Sequence, residues 1–257
     1  KEAGAIIVQH CAVTAILRKR DGSVAGVTTE QGGIACGEVV LAGGHWSSLL
    51  LRTIGVTLPQ LRLLSSVVRT EPPDRQLPFS VVGPGFSLRP RLDGGYTLSA
   101  GLTVVADAVP DVLRYLRHFL PVIRNREAYG ARIRFGARLF EEVGYGLRGV
   151  RELTRTRRLE PAPFQGHLKT MHEALSTAFP WLAPIRIAES WAGYFDVTPD
   201  TLPVISRVDT VPGLTVSTGY SGHGFGLGPG AGELTADIVL RRRPRIDPTP
   251  FRFDRFT

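Results

Sequence analysis

A chain of 257 residues with 43% hydrophobic and 21% charged side chains has an ordinary globular composition. It is long enough for one large domain or two intertwined ones, burying roughly 70–75% of the unfolded surface, and no apolar run approaches the ~20 residues of a membrane-spanning helix. The net charge of +8 invites an acidic partner, nucleic acid or an anionic membrane surface, but no RNP, zinc-finger or helix-turn-helix pattern accompanies it; no nucleic-acid partner is expected, and peripheral membrane contact is the reading that the charge leaves open.

In chain order, residues 12–17 and 24–29 read as strands around the turn Arg20-Asp21-Gly22-Ser23, since Asp-Gly between β-rich runs is a hairpin signal. Residues 34–41 read as one buried strand that enters Ala42-Gly43-Gly44, followed by a short helix over 46–54. Strand, glycine turn, helix is α/β grammar. Farther on, residues 63–70 form a predicted strand, and 85–90 and 96–100 flank Arg91-Leu92-Asp93-Gly94-Gly95 as a second hairpin. Helical spacing covers 109–123, interrupted by Pro121, and 164–179, closed by Pro180. Strands 185–192 and 214–218 follow, then a glycine-rich loop from Gly219 to Gly232, a helix over 233–240 and an irregular tail. The expected organisation is α/β with an inserted α+β domain of mixed or antiparallel sheet: residues 1–56, 57–184 and 185–257, the first and last belonging together.

The arginines concentrate at Arg114, Arg124, Arg126, Arg132, Arg134, Arg138, Arg155, Arg157 and Arg158, and again at Arg241-Arg242-Arg243. Arginine is used so widely here that solvated faces and ion pairs account for it better than a dedicated partner does. Cys11 and Cys36 stand alone, without C-x-x-C spacing; they argue for a reducing, cytoplasmic setting and against a zinc site. The N-terminal Lys1-Glu2-Ala3-Gly4 has no secretory character. His167 and His172 are five apart, off the i,i+4 face of a metal pair, so no metal is expected.

Three separated stretches carry the chemistry: Val39-Val40-Leu41-Ala42-Gly43-Gly44-His45-Trp46-Ser47, Trp191-Ala192-Gly193-Tyr194-Phe195-Asp196-Val197-Thr198-Pro199-Asp200, and Thr218-Gly219-Tyr220-Ser221-Gly222-His223-Gly224-Phe225-Gly226 running on to Glu233-Leu234. Gly226 to Ala231 matches G-x-G-x-x-G/A, but no βαβ unit or downstream acid follows it. Gly219-Tyr220-Ser221-Gly222-His223 misses the hydrolase elbow G-x-S-x-G, because His223 stands at the last glycine.

In their order and combination these stretches resemble the D-amino-acid oxidase superfamily of flavoproteins, which includes glycine oxidase, sarcosine oxidase and D-amino-acid dehydrogenase. The resemblance covers nearly the whole chain. It implies a partial Rossmann-like FAD-binding domain (1–56 and 185–257) and a substrate-binding domain (57–184). It implies non-covalent FAD held by Val13, Ala42, Gly43, Gly44, Trp46, Gly193, Pro199, Asp200, Gly219, Ser221, Gly222, His223, Gly224, Phe225 and Gly226, with residues 43–46 and 219–226 lining one cleft. The activity implied is oxidation of an amine or amino acid at its CH–NH group, the hydrogen passing as hydride to flavin N5. Backbone N–H groups near His223 would favour the negative charge of a reduced flavin, and Gly224 is expected to occupy a turn.

Two departures from the family pattern bear on function. Its N-terminal ADP-binding βαβ fingerprint is absent here, which sets beside the enzyme reading an alternative, a truncated, non-catalytic fragment or subunit that needs a second polypeptide to complete the FAD site, and predicts a chain that is colourless when purified alone. Positions at which relatives carry a carboxylate-binding lysine or arginine read Gly226, Phe195 and Gly222, and the position of a covalent cysteine reads Gly193. Phe195 is expected to wall the substrate pocket, with Arg89 and Arg91 as candidate carboxylate anchors; the catalytic residues and the electron acceptor stay unassigned.

Overall fold

The computed structural model describes residues 4–101, 103–124, 131–134 and 160–256. It divides into two units. The first runs through Gln60 and resumes at Asp196; the second starts at Leu61 and ends at Phe195.

The first unit opens with an antiparallel meander, β1 (Val13–Arg18), β2 (Val24–Thr29) and β3 (Gly32–Ala35). Asp21 closes the β1–β2 turn by accepting the N–H and hydroxyl of Ser23 at 2.9 and 2.6 Å, while Gly22 takes φ +85°, a conformation glycine adopts without penalty. The chain then changes sheets. Cys36 donates to Ala25 O at 3.2 Å, and Val39 donates to Gly213 O at 2.8 Å. The single strand expected over 34–41 is therefore two: β3, and β4 (Val39–Leu41) in a second sheet of order β12-β13-β4. Here β12 is Val204–Arg207 and β13 is Leu214–Thr218, antiparallel to β12 and parallel to β4. Among the described residues β4 forms the sheet edge, and Val40 is 44% exposed, so the expectation of a buried strand is corrected.

A 3-10 turn at Gly44–Trp46 leads into α1 (Ser47–Thr53). Leu50, Leu51 and Ile54 of this segment join Ile16, Val24, Leu41, Leu58, Leu214 and Val216 in one apolar core. Burial of such side chains contributes about 1.5–3 kcal/mol each. The last long helix, α5, spans Gly224–Val239. It starts nine residues before the expected 233, so residues 224–232 are helix and not loop. Its buried side, Ala231 and Leu234, packs on Ile205.

The second unit is a mixed sheet of order β10-β9-β5-β8-β7-β6, with β11 also paired to β5. The strands are β5 (Leu61–Thr70), β6 (Val81–Gly83), β7 (Phe86–Pro90), β8 (Tyr96–Ser99), β9 (Val104–Asp107), β10 (Ala131–Arg134) and β11 (Ile187–Val197). The β9–β10 pair is parallel. The helix expected over 109–123 breaks at Tyr115 into α2 (Pro110–Arg114) and α3 (Leu116–Arg124). The break follows the fully buried Tyr115 side chain, and Pro121 sits inside α3 without ending it. Helix α4 (Gln165–Ala178) lays Met171 and Leu175, one turn apart, on Val68, Leu88 and Leu98 of the sheet. Of the arginine cluster, Arg126, Arg138, Arg155, Arg157 and Arg158 lie outside the described residues. Arg114 pairs with Asp111, and Arg241 to Arg243 are exposed.

Candidate functional site

The site is built where two parallel strands end. The register Leu214↔Val39 through Val216↔Leu41 sets the carboxyl ends of β13 and β4 side by side; in open α/β sheets that is where ligands bind. Past β4 comes Gly44 at φ +55°; past β13 come Gly219 at +77°, Ser221 at +51° and Gly222 at +83°. A Cβ on Gly219 would stand 2.5 Å from Thr198 Cγ2, so both its conformation and its neighbour demand glycine.

One buried carboxylate ties these ends together. Asp196 Oδ2 accepts the Gly219 N–H at 2.7 Å, the Gln60 side-chain amide at 2.6 Å and lies 3.1 Å from the Thr218 hydroxyl. That hydroxyl is also 3.0 Å from Gly44 O, and Gln60 Nε2 reaches the same carbonyl at 3.3 Å. Gln60 Oε1 in turn accepts the Ser48 N–H at 3.3 Å. Gln60, Asp196 and Thr218 are all buried, and a buried polar network that is satisfied throughout is rigid. The sequence alone shows no role for these three residues. The readable signal was an acid at Asp196 between Phe195 and Val197 of an otherwise apolar run.

Helix α5 begins immediately beyond. His223 occupies its N-cap, no side chain caps it, and its first turn contains no acid. The N–H groups of the first turn carry a partial positive charge and favour an anion. Gly224 is helical and not in a turn as expected; a Cβ there would lie 3.3 Å from Tyr220 Cβ. At Gly226, Gly228, Gly230 and Gly232 a Cβ meets nothing within 4 Å. The G-x-G-x-x-G/A match therefore lies within the body of a helix and not in a phosphate-binding turn. Ser221 Oγ bonds Gly219 O at 3.2 Å and receives the Thr198 N–H at 3.4 Å, a buried structural hydroxyl.

The other candidates fall as follows. Ala42 is exposed, Gly43 half-buried, and Trp46 half-buried with its ring 3.9 Å from that of His45. Val13 is exposed on β1. His223, Phe225 and Gly226 are exposed. Pro199 is buried, and Asp200 is held by Arg255 through a fork of 2.7 and 3.1 Å. In the second unit Gly193 is exposed and Phe195 half-buried on β11. There Arg89 is exposed, and Arg91 is taken up by Asp93 at 3.1 Å and Thr97 at 3.3 Å within its hairpin. Among the described residues no group of three His, Cys, Asp or Glu is placed to hold a metal, and no helix is long and apolar enough to cross a membrane.

Burial pushes the Asp200 carboxyl up, but the hydrogen bond and charge of Arg255, with the Leu202 N–H, outweigh it and hold the group below the usual carboxylate range. A carboxyl lowered in the folded state stabilises above its unfolded pKa of about 4, and that contribution is lost as pH falls through the folded value. Asp200→Asn is expected to cost about 1 kcal/mol at neutral pH, discounted for partial exposure. The gap in thermal stability to the parent should close on acidification below about pH 4; thermal melts of both proteins across pH check it.

Comparison with known proteins gives a consistent picture. The family model described as "DAO: FAD dependent oxidoreductase" matches residues 1–238. Glycine oxidase from Pseudomonas putida is 26% identical over 95% of this chain and 52% of its own length. Sarcosine oxidase subunit beta from Rhizobium meliloti is 28% identical over 98% of this chain and 49% of its own. The structure of L-amino acid deaminase from Proteus myxofaciens in complex with anthranilate superposes with a TM-score of 0.86 at 33% identity, covering 96% of this chain and 56% of that one. The chain thus spans about half the length of the curated relatives it matches.

Proposed function

Because the chain belongs to the DAO family of FAD dependent oxidoreductases, we propose that it is the flavin-edge and substrate-binding part of an enzyme oxidising an amine or amino acid at its CH–NH group to an imine. The observation that carries this reading is the juxtaposition of positive-φ Gly44 and Gly219 at the ends of parallel strands with the uncapped N-terminus of α5.

FAD, when bound, supplies the two-electron acceptor; the protein supplies binding, orientation and electrostatics. The geometry fits its flavin end. The N–H groups of Gly224, Phe225 and Gly226 favour negative charge on a flat ring edge, and donors fixed beforehand cost no reorganisation when that charge develops. The Asp196 network holds the Gly219 turn that aims them. Residues 42–46 and 219–226 would approach the cofactor, non-covalently, since Gly193 offers no thiol. On the substrate side, Phe195 would wall the pocket. The relatives support this class: one is an oxidase of glycine, another a deaminase of L-amino acids in complex with anthranilate, itself an amino carboxylate.

A further polypeptide segment, in the same chain or another, would complete the site. Among the described residues β4 is the edge of its sheet, with Val40 exposed, which supports this, because an edge strand presents free N–H and C=O groups for a further strand to pair with. One relative is itself a named subunit. The free thiols Cys11 and Cys36 support a cytoplasmic setting.

The test is anaerobic addition of amino acids and N-methylamines, in excess FAD, to the protein joined with the further segment that completes its site. Bleaching of the flavin with release of ammonia or amine is expected. Bleaching by hydroxy acids but by no amine would contradict the reading.

A further inference from the structure

The last residues of the first unit return to the strand ends from behind. Residues 249–251 and 253–256 form two 3-10 turns, and Phe253 and Phe256 pack on the apolar core of this unit. Between them Arg255 reaches the turn that follows β11, and its side chain is only 16% exposed. Its Nε and Nη2 donate to the two oxygens of Asp200 at 2.7 and 3.1 Å. Nη2 also donates to Leu202 O at 2.8 Å, and Nη1 to Arg252 O at 2.8 Å. A planar guanidinium whose fork is occupied in this way fixes position as well as charge. The tail is thereby tied to the turn at residues 198–202.

That turn touches the loop after β13. Thr201 takes φ +61° and Ser221 +51°, left-handed conformations that residues other than glycine keep only where their surroundings hold them. Thr198 stands between the two. Its hydroxyl donates to Leu202 O at 2.7 Å, the oxygen that Arg255 also holds, and its carbonyl accepts the Thr201 N–H at 3.1 Å. On the other side the Thr198 N–H donates to Ser221 Oγ at 3.4 Å, and Thr198 Cγ2 fills the space in which a Gly219 Cβ would lie. Thr198 is fully buried, and a close-packed interior transmits a displacement to its neighbours. Contacts thus run without a gap from Arg255 through Asp200, Leu202 and Thr198 to the loop that leads into α5.

We propose that Arg255 is a positioning residue. From the C-terminal tail it sets the loop at residues 219–223 and, through that loop, the direction of the first N–H groups of α5. Resting on the flavin reading above, its effect on the reaction is to keep those donors aimed at the ring edge that becomes negative on reduction. It acts through Thr198 and not by contact.

Residue-resolved amide exchange on the 257-residue protein without flavin measures the coupling. Three bonded amides report on the loop: Thr198 to Ser221 Oγ, Gly219 to Asp196 Oδ2 and His223 to Tyr220 O. Val24, bonded to Pro212 O, and Cys36, bonded to Ala25 O, serve as controls. Arg255→Met keeps the apolar stem and removes the fork. It is expected to speed exchange at the three reporters about tenfold more than at the controls, because a local opening raises exchange only where it occurs. Arg255→Lys restores the charge without the fork and should fall between. Reporters that follow the controls, or faster exchange confined to residues 200–202 and 249–256, overturn the proposal. Should Arg255→Met fail to fold, Asp200→Asn, which leaves the tail packing and the bond to Leu202 O in place, decides by the same comparison. In the protein joined with the segment that completes its site, Arg255→Met should also lower the preference for reduced over oxidised flavin about threefold or more, read as a shift of the flavin potential in a redox titration. Loosened reporters with an unchanged potential keep the positioning role and refute the assignment of the loop to the flavin. Unmoved reporters refute the positioning role and leave that assignment standing.

Discussion

Asp196→Ala is expected to lower the stability of the first unit by about 3 kcal/mol, since each buried polar group left without a partner costs roughly 1–3 kcal/mol. The substitution orphans the buried Gly219 N–H and takes from the Gln60 amide its shortest hydrogen bond, leaving it the longer ones to Gly44 O and Thr218 Oγ1. For a protein of this size the melting temperature should fall by roughly 6–12 °C. Asp196→Asn retains an oxygen for Gly219 but sets an amide against the Gln60 amide, so it should fall between parent and alanine variant. Thermal unfolding followed by circular dichroism measures the series. A melting temperature for Asp196→Ala indistinguishable from the parent would show that the network does not hold the strand ends together.

The quadruple substitution Gly226→Ala, Gly228→Ala, Gly230→Ala and Gly232→Ala should move stability the other way. Each Cβ enters space with nothing within 4 Å, and Gly→Ala at an unstrained helical position gains about 0.4–1 kcal/mol. A gain of about 2–4 kcal/mol is expected in sum, so the protein gives up that stability by keeping the glycines. If the face that Gly226 and Gly230 share exists for close approach of a cofactor, the stabilised variant should bind FAD about tenfold or more weakly. Stability and flavin affinity then change in opposite directions, as expected where residues serve a site and not the fold. Denaturant unfolding and flavin fluorescence titration on the same samples read both.

The same glycines explain where sequence reading failed. Gly224, Gly226, Gly228, Gly230, Gly232 and Pro229 all disfavour a helix, so local propensity delays its start to Glu233. Packing of Ala231 and Leu234 on Ile205 overrides that preference. Hairpins at Asp21-Gly22 and Asp93-Gly94 were legible because the turn residues state their own backbone angles, +85° at Gly22 and +83° at Gly94. The division of residues 34–41 between two sheets was not, because partners remote in sequence, Ala25 and Gly213, decide it. At the site, the glycines at the strand ends were visible as glycines. Gln60, Asp196 and Thr218 were not, because residues 136 apart in the chain define their roles only by meeting. The ring of Asp107, Arg134 and Tyr194 is hidden likewise, since only the pairing of remote strands brings it together.

The central claim is that the paired ends of β4 and β13 and the start of α5 hold the flavin end of FAD. Amide hydrogen exchange on the 257-residue protein, with excess FAD, riboflavin or ADP, tests it directly. FAD and riboflavin should both slow exchange at residues 44–46 and 223–226, and ADP should not; the tetra-alanine variant should show the effect weakened. Protection of these amides by ADP but not by riboflavin, or flavin-dependent protection confined to other segments, would contradict the account.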